Sequence, residues 1–321
     1  MDARAAQVQR RIALTQVTEK VFNALDFANA ERVMVHIEGD SRFGKTESVA
    51  TWAEMWPGRA RVVRTPSWNG EKDLFRAIAE AFGIHHGHSA GGEPLKAKVE
   101  FVIRHGGLMM IFDEASFLVP SNYSATTAPA RLNWVRTAIV DRNVPVVLVV
   151  TPQSYHSAVS RFVKKTGYSI EQFLGREALR VQLPNELPPE DMLAVARIHF
   201  PDTDEDLLGL VVGHALQSEG YLKTVENIAK RARYIAAKRG SKTLTLKDVD
   251  RAISEVTPNR TAPTAPDAPA LPVRKPRKAR RGSPAATVLQ TPFRADAKHF
   301  PAREVVPLNA PQEAEAALAT G

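Results

Sequence analysis

The stretch from Val33 to Thr46 constrains this chain more than any other. Gly39, Asp40, Ser41, Arg42, Phe43, Gly44, Lys45 and Thr46 spell G-x-x-x-x-G-K-T. The apolar residues ahead of them (Val33, Met34, Val35, Ile37) read as a buried parallel strand. The residues behind them, Glu47 to Trp56, hold no glycine or proline before Pro57 and place apolar positions at helical spacing. A strand that passes through such a turn straight into a helix aims backbone N–H groups and the positive helix end at one point, which is an anion cradle. In that geometry the amides around Gly44 surround a β-phosphate, Lys45 adds a mobile cation, and the Thr46 hydroxyl is offered to Mg²⁺, with Glu47 in the first helical turn. The expected ligands are ATP and Mg²⁺, bound by residues 39–47. Only Gly39 and Gly44 are glycines, so Ser41, Arg42 and Phe43 must adopt the loop conformation as ordinary L-residues. The competing reading, a plain turn, leaves the flanking strand and helix unexplained.

A second half of the site is expected about 70 residues on. Leu108-Met-Met-Ile-Phe112 is a strand-length apolar run that ends in Asp113 and Glu114. A buried strand ending this way puts Asp113 on the Mg²⁺ shell and leaves Glu114 to orient and polarise an attacking water. Val144-Pro-Val-Val-Leu-Val-Val150 is a further buried strand, and Thr151 or Gln153 at its end is placed to meet a γ-phosphate. With Arg61–Arg64 as a second strand and residues 178–183 as a fifth, strands alternate with helices. The fold class is therefore α/β: a five-stranded parallel sheet with helices on both faces.

The expected division is an N-terminal helical segment at 1–30, a phosphate-loop core at 31–187, a helical lid at 188–257 and a Pro-rich tail at 258–321. From Pro188 onward only helical signals occur, at about 189–199, 204–218, 221–238 and 247–256, the last capped by Thr245. The tail carries ten Lys/Arg against five Asp/Glu and eleven of the 22 prolines, so it reads as disordered and holds most of the +8 net charge. Within it Arg274, Lys275, Arg277, Lys278, Arg280 and Arg281 place six cations in eight residues: either a DNA-contacting arm or a solvated linker that happens to be basic. Lys96, Lys98 and Arg104 are further candidates for DNA contact. Three histidines in the loop at 85–92 (His85, His86, His88) lack a carboxylate beside them, and a surface loop is expected there rather than a metal site. Zero cysteines exclude disulfides and thiolate chemistry. No apolar run spans a bilayer and the N-terminus lacks a signal-peptide core, so a soluble cytoplasmic protein is expected.

Gly39-x4-Gly44-Lys45-Thr46, Phe112-Asp113-Glu114, Thr151, Gly175-Arg176 ahead of the fifth strand and Gly220-x-Leu222-Lys223 in a helical lid occur in the order found in AAA+ ATPases. Over about residues 10–257 the chain resembles that superfamily. Within it the chain looks most like the transposition ATPases of the Mu B and TniB/TnsC type, which are similar to the secretion ATPase ExeA. The resemblance implies ATP-dependent oligomerisation, as a ring or filament, on DNA without sequence preference, target-site selection, and recruitment or stimulation of a transposase. It also implies that Arg176 acts as a finger in a neighbouring subunit's site and that Lys223 takes the nucleotide-contacting lid position usually held by arginine. A reading from a different class is an ATP-driven signalling or scaffold switch, or a secretion-type ATPase, with no role for DNA.

Overall fold

In the computed structural model the described residues are 12–68, 70–86, 92–201 and 203–256. All of these residues belong to one compact unit. The expectations for the basic run at 274–281 and for most of the histidine loop, His88 included, lie outside the described residues.

Five strands form one parallel sheet: β1 (Met34–Glu38), β2 (Ala60–Arg64), β3 (Met109–Asp113), β4 (Val146–Val150) and β5 (Glu177–Gln182), in the order β2-β3-β4-β1-β5. The expected strands are all present. β1, β3 and β4 are buried along their whole length, as expected of strands covered on both faces, whereas β5 is a largely exposed edge. Side chains alternate as the pleat demands. Val35, Ile37, Met109, Ile111, Val147 and Val149 enter one apolar layer, and Met34, Met110, Phe112, Val146, Leu148 and Val150 enter the other.

On the first face lie α1 (Gln16–Glu31) and α2 (Lys45–Met55), with Val17, Val21, Leu25, Val49 and Trp52 in the same layer. On the second lie α3 (Glu71–Phe82), α4 (Gly92–Gly106), α5 (Ala130–Trp134) and α6 (Pro152–Thr166), contributing Leu74, Ile78, Val99, Leu132 and Phe162. The helical stretch that opens with α5 is not uniform: α5 passes into a π-turn at Val135–Ile139 and a 3-10 turn at Val140–Arg142. A short helix, α7 (Glu171–Leu174), precedes β5.

The last four helices are α8 (Pro189–His199), α9 (Glu205–Gln217), α10 (Tyr221–Lys238) and α11 (Leu246–Glu255). Their apolar faces (Met192, Leu208, Val212, Ile228, Val249) belong to the same layer as α1 and α2, so these helices share a core with one face of the sheet. Thr245 caps α11 as expected: its side chain accepts from the Asp248 N–H while the Asp248 carboxylate accepts from the Thr245 N–H, a reciprocal capping box. No helix among the described residues is long and apolar enough to cross a membrane.

Candidate functional site

Parallel strands all end on one edge of the sheet, and ligands of open α/β sheets bind outside those carboxyl ends, where the strand order switches. Here β1 lies between β4 and β5, and the chain leaves β1 to build β2, β3 and β4 on one side before crossing to β5 on the other. The loop at 39–44 leaves that edge and runs into α2.

Two glycines do separate jobs in it. Gly44 sits at φ 90°, in the left-handed region that side chains avoid, immediately before α2. Gly39 packs so closely on Leu183 that an added Cβ would stand 2.8 Å from its side chain. Of the four non-glycine residues between, Arg42 carries the unusual backbone, at φ 73°. Its guanidinium donates to the Glu219 carbonyl at 3.2 Å, and buried Phe43 meets the Tyr221 ring edge-on with centroids 5.0 Å apart, so the start of α10 braces the loop. This bracing replaces the help that a glycine-rich loop would draw from its own sequence.

Lys45 is buried, and its Nζ donates to the carbonyls of Gly39 and Asp40, both at 2.6 Å. Burial pushes its ammonium below the usual lysine range, against the pull of Glu114, Asp113 and Asp40. Thr46 Oγ1 donates to Asp113 Oδ2 at 2.9 Å. The other Asp113 oxygen accepts the Glu114 N–H at 3.0 Å, which holds Glu114 at φ 54° although it is not a glycine. Of the two acids at the end of β3, Asp113 is bonded to Thr46 and Glu114 lines the cavity beside it.

A cavity of about 460 Å³ opens above these groups. Residues 41–47, Glu114, Thr151 and Lys223 line it, all from the expected set, while Gly39 and Asp40 contribute through the carbonyls that hold Lys45. Gln153 does not line it. Lys223 Nζ is paired with Glu226 at 2.8 Å at the cavity wall. Residues outside the expected site also line it: Ile12, Ala13, Thr15 and Thr18 before and within α1, Val195, Ile198 and His199 on α8, and Glu226 on α10, together with Leu222 of the lid motif. Ile198 is 38% exposed although apolar, a surface that a flat base would cover. Burial, and then Arg233, push the His199 imidazole below its usual range. These residues carry no local signature; on α8 and α10 they read as ordinary amphipathic positions.

Arg176 stands apart. Its Nε donates to Asp141 at 2.9 Å and its Nη1 to the Gln172 carbonyl at 2.6 Å, just ahead of β5 and away from this cavity. Lys96, Lys98 and Arg104 lie on α4, also away from it. Lys96 is 5.9 Å from the Phe75 ring centre and Arg104 pairs with Glu100 at 2.6 Å.

The donor set suits Mg²⁺. A hydroxyl and a carboxylate oxygen already meet at 2.9 Å, which leaves room for phosphate oxygens and water. Among the described residues no group of three or more His, Asp or Glu forms an all-protein cage, and Mg²⁺ does not require one.

Sheet order, loop and the β3 acids together define a phosphate-loop chain of the AAA+ α/β fold. Among solved structures, it is similar to the ORC2 protein of Aeropyrum pernix in its ADPNP–ADP complexes (16% identity, TM-score 0.52, covering 79% of this chain and 69% of that one). The ADP form of the same protein gives 16% identity and TM-score 0.54, over 73% and 67%. Cdc6p from Pyrobaculum aerophilum gives 16% identity and TM-score 0.53, over 74% and 66%. At such identities the likeness establishes the fold. No protein-family model matches the sequence, and no curated protein matches it.

Proposed function

We propose that this chain is an ATP-hydrolysing AAA+ protein that assembles on DNA and regulates transposition by selecting target sites and recruiting or stimulating a transposase. The observation that carries the ATPase reading is the hydrogen bond between Thr46 and Asp113, beside a buried Lys45 and a separately oriented Glu114. In the bound state the loop amides and Lys45, released from the Gly39 and Asp40 carbonyls, hold the β- and γ-phosphates, and Thr46 and Asp113 hold Mg²⁺. When bound, the ion would supply charge neutralisation on the phosphate oxygens. Glu114 orients a water and takes its proton as the water oxygen bonds to the γ-phosphorus and the bond to the ADP oxygen breaks. Thr151 meets the γ-phosphate from β4 and Lys223 meets it from the lid once it exchanges Glu226 for phosphate. Arg176 of a neighbouring subunit stabilises the developing charge.

The DNA and transposition parts rest on the sequence resemblance and the basic tail, with one supporting surface feature. Trp68 is 77% exposed on the loop after β2, and buried Arg131 donates to the carbonyls of Pro66, Trp68 and Gly70 on that loop and of Phe117 in the 3-10 turn Ala115–Leu118 after β3. An indole presented on a backbone fixed in this way is suited to stacking on a base or wedging into a groove.

The deciding experiment is a mobility shift on DNA of arbitrary sequence with ATP, with ADP and without nucleotide. Binding that requires ATP supports the reading; absence of binding under all three conditions leaves the DNA-independent switch. Deleting residues 258–321 is expected to flatten the salt dependence by about five log-log units, at about 0.9 per phosphate contact.

A further inference from the structure

β5 has an unusual problem of register. In a strand with one buried face, a slip of one residue exposes apolar side chains, and that cost fixes the pairing. β5 (Glu-Ala-Leu-Arg-Val-Gln) has no fully buried residue, and its pairing with β1 shifts between Met34↔Glu177 and Val35↔Leu179, so Ala178 is an extra residue. The apolar pattern does not decide where this strand begins.

A polar cluster beneath it does. His36 of β1 is wholly buried, and its Nδ1 donates to Glu177 Oε1 at 3.0 Å. Arg180 donates to the other Glu177 oxygen at 2.6 Å and stands 3.5 Å from Glu38, which His156 of α6 approaches at 3.4 Å. The Tyr155 ring packs edge-on against His36 with centroids 4.8 Å apart. Burial pushes the Glu177 carboxyl up, but the bonds from His36 and Arg180 outweigh it and hold it below the usual range. Three buried atoms in the cluster, His36 Nε2, Glu38 Oε1 and Tyr155 Oη, have no hydrogen-bond partner. Apolar residues of equal volume would fill the same space without that cost, and fixing register is the best-attested reason for keeping buried polar pairs.

The residue that this register places is Arg176, directly before Glu177. Glu177 pairs with Met34 at the start of β1, and the phosphate loop begins after Glu38. Arg176, one residue earlier and so level with Val33, therefore lies roughly 20 Å along the sheet from the start of its own loop at Gly39, at about 3.3 Å per strand residue.

We infer that the Glu177–His36 hydrogen bond is a register lock that sets Arg176 for use by the neighbouring subunit, making His36 and Glu177 positioning residues for hydrolysis. The inference rests on the reading of Arg176 as a residue acting across the subunit interface.

The test is a double-mutant cycle on full-length protein. His36→Phe keeps the ring against Tyr155 and removes the bond; Glu177→Gln keeps an acceptor; each is made alone and with Arg176→Ala. Expected for His36→Phe is ATP affinity within about twofold of wild type, kcat at least 10-fold lower under assembling conditions, and no further loss when Arg176→Ala is added. Glu177→Gln should retain most of the activity, because its amide oxygen still accepts from His36. Losses that simply multiply in the double variant, or a fall in ATP affinity matching the fall in kcat, overturn the lock. Should His36→Phe not fold, Glu177→Ala and its combination with Arg176→Ala give the same decision. If Arg176→Ala by itself leaves kcat unchanged, the trans reading fails instead, and the lock as a device for hydrolysis fails with it.

Discussion

Thr46 Oγ1 and Asp113 Oδ2 lie 2.9 Å apart, although 67 residues separate them and β4 runs between their strands. The helix that begins at Lys45 brings the hydroxyl to one side of the β4 end, and β3 brings the carboxylate to the other. Asp113→Asn keeps the shape of this contact and removes the charge that a divalent cation needs. Mg²⁺-dependent ATP affinity is expected to fall roughly 10- to 100-fold, the scale seen when a group ordering a metal shell is lost. A Mg²⁺ titration at fixed fluorescent ATP analogue measures it, and an unaltered midpoint would remove Asp113 from the metal shell.

Lys45 serves ligand more than core, because its burial disfavours the ammonium in the absence of an anion. Lys45→Ala is expected to unfold thermally near wild type without nucleotide, yet to lose the stabilisation that ATP brings, about 2.7 kcal/mol for wild type at 100-fold excess over Kd. A full ATP-induced thermal shift in the variant would disprove the site.

For Glu114, whose backbone is held in the left-handed region by its own neighbour's carboxylate, Glu114→Gln preserves size and hydrogen bonding but takes no proton. ATP binding should persist while turnover falls by about 10²-fold or more. If the ATP state grips DNA, this variant's complexes should outlast those of wild type in ATP and match them in a non-hydrolysable analogue. Near-normal turnover would discard the residue as the base.

Arg176 pairs with Asp141 on its own chain and does not line its own cavity. Arg176→Ala should bind ATP normally and hydrolyse it slowly, and mixing it with Lys45→Ala protein should restore part of the activity at mixed interfaces. Specific activity independent of protein concentration, with no recovery on mixing, would rule out a role in trans.

The α11 cap provides a pH test. Hydrogen bonds from Arg239 and then Thr245 hold the Asp248 carboxyl down to about 2. A carboxyl depressed by folding adds stability above its unfolded pKa, near 3.9, and that contribution fades as pH falls from there towards 2. The protection factor of the α11 amides, which is the intrinsic exchange rate at each pH divided by the observed rate, should therefore hold at neutral pH and fall below about pH 4. Thr245→Ala should cost about 1 kcal/mol at neutral pH. Equal protection in the variant and wild type at pH 7 would contradict the cap.

What the sequence determined by itself is local or periodic. The run from Gly39 to Thr46 specifies a turn between strand and helix, because Gly44 readily takes the left-handed backbone that such a turn needs ahead of an uninterrupted helical segment. Met109–Phe112 and Val146–Val150 specify buried strands through continuous apolar character, and Thr245 with Asp248 specifies a helix start, because both bonds of the cap fall within one turn. What only the tertiary structure decided depends on partners distant in the chain. Strand order put Thr46 beside Asp113. The packing of α8 and α10 on the sheet turned Ile198, His199 and Leu222 into the walls of a cavity. Arg42 and Phe43 hold a glycine-poor loop only through Glu219, which lies 177 residues beyond Arg42, and through Tyr221 beside it at the start of α10. The start of β5 is set by a bond to His36 across 141 residues. Contacts of this kind leave no periodicity and no spacing, since their geometry exists only after the apolar layers have brought the elements together.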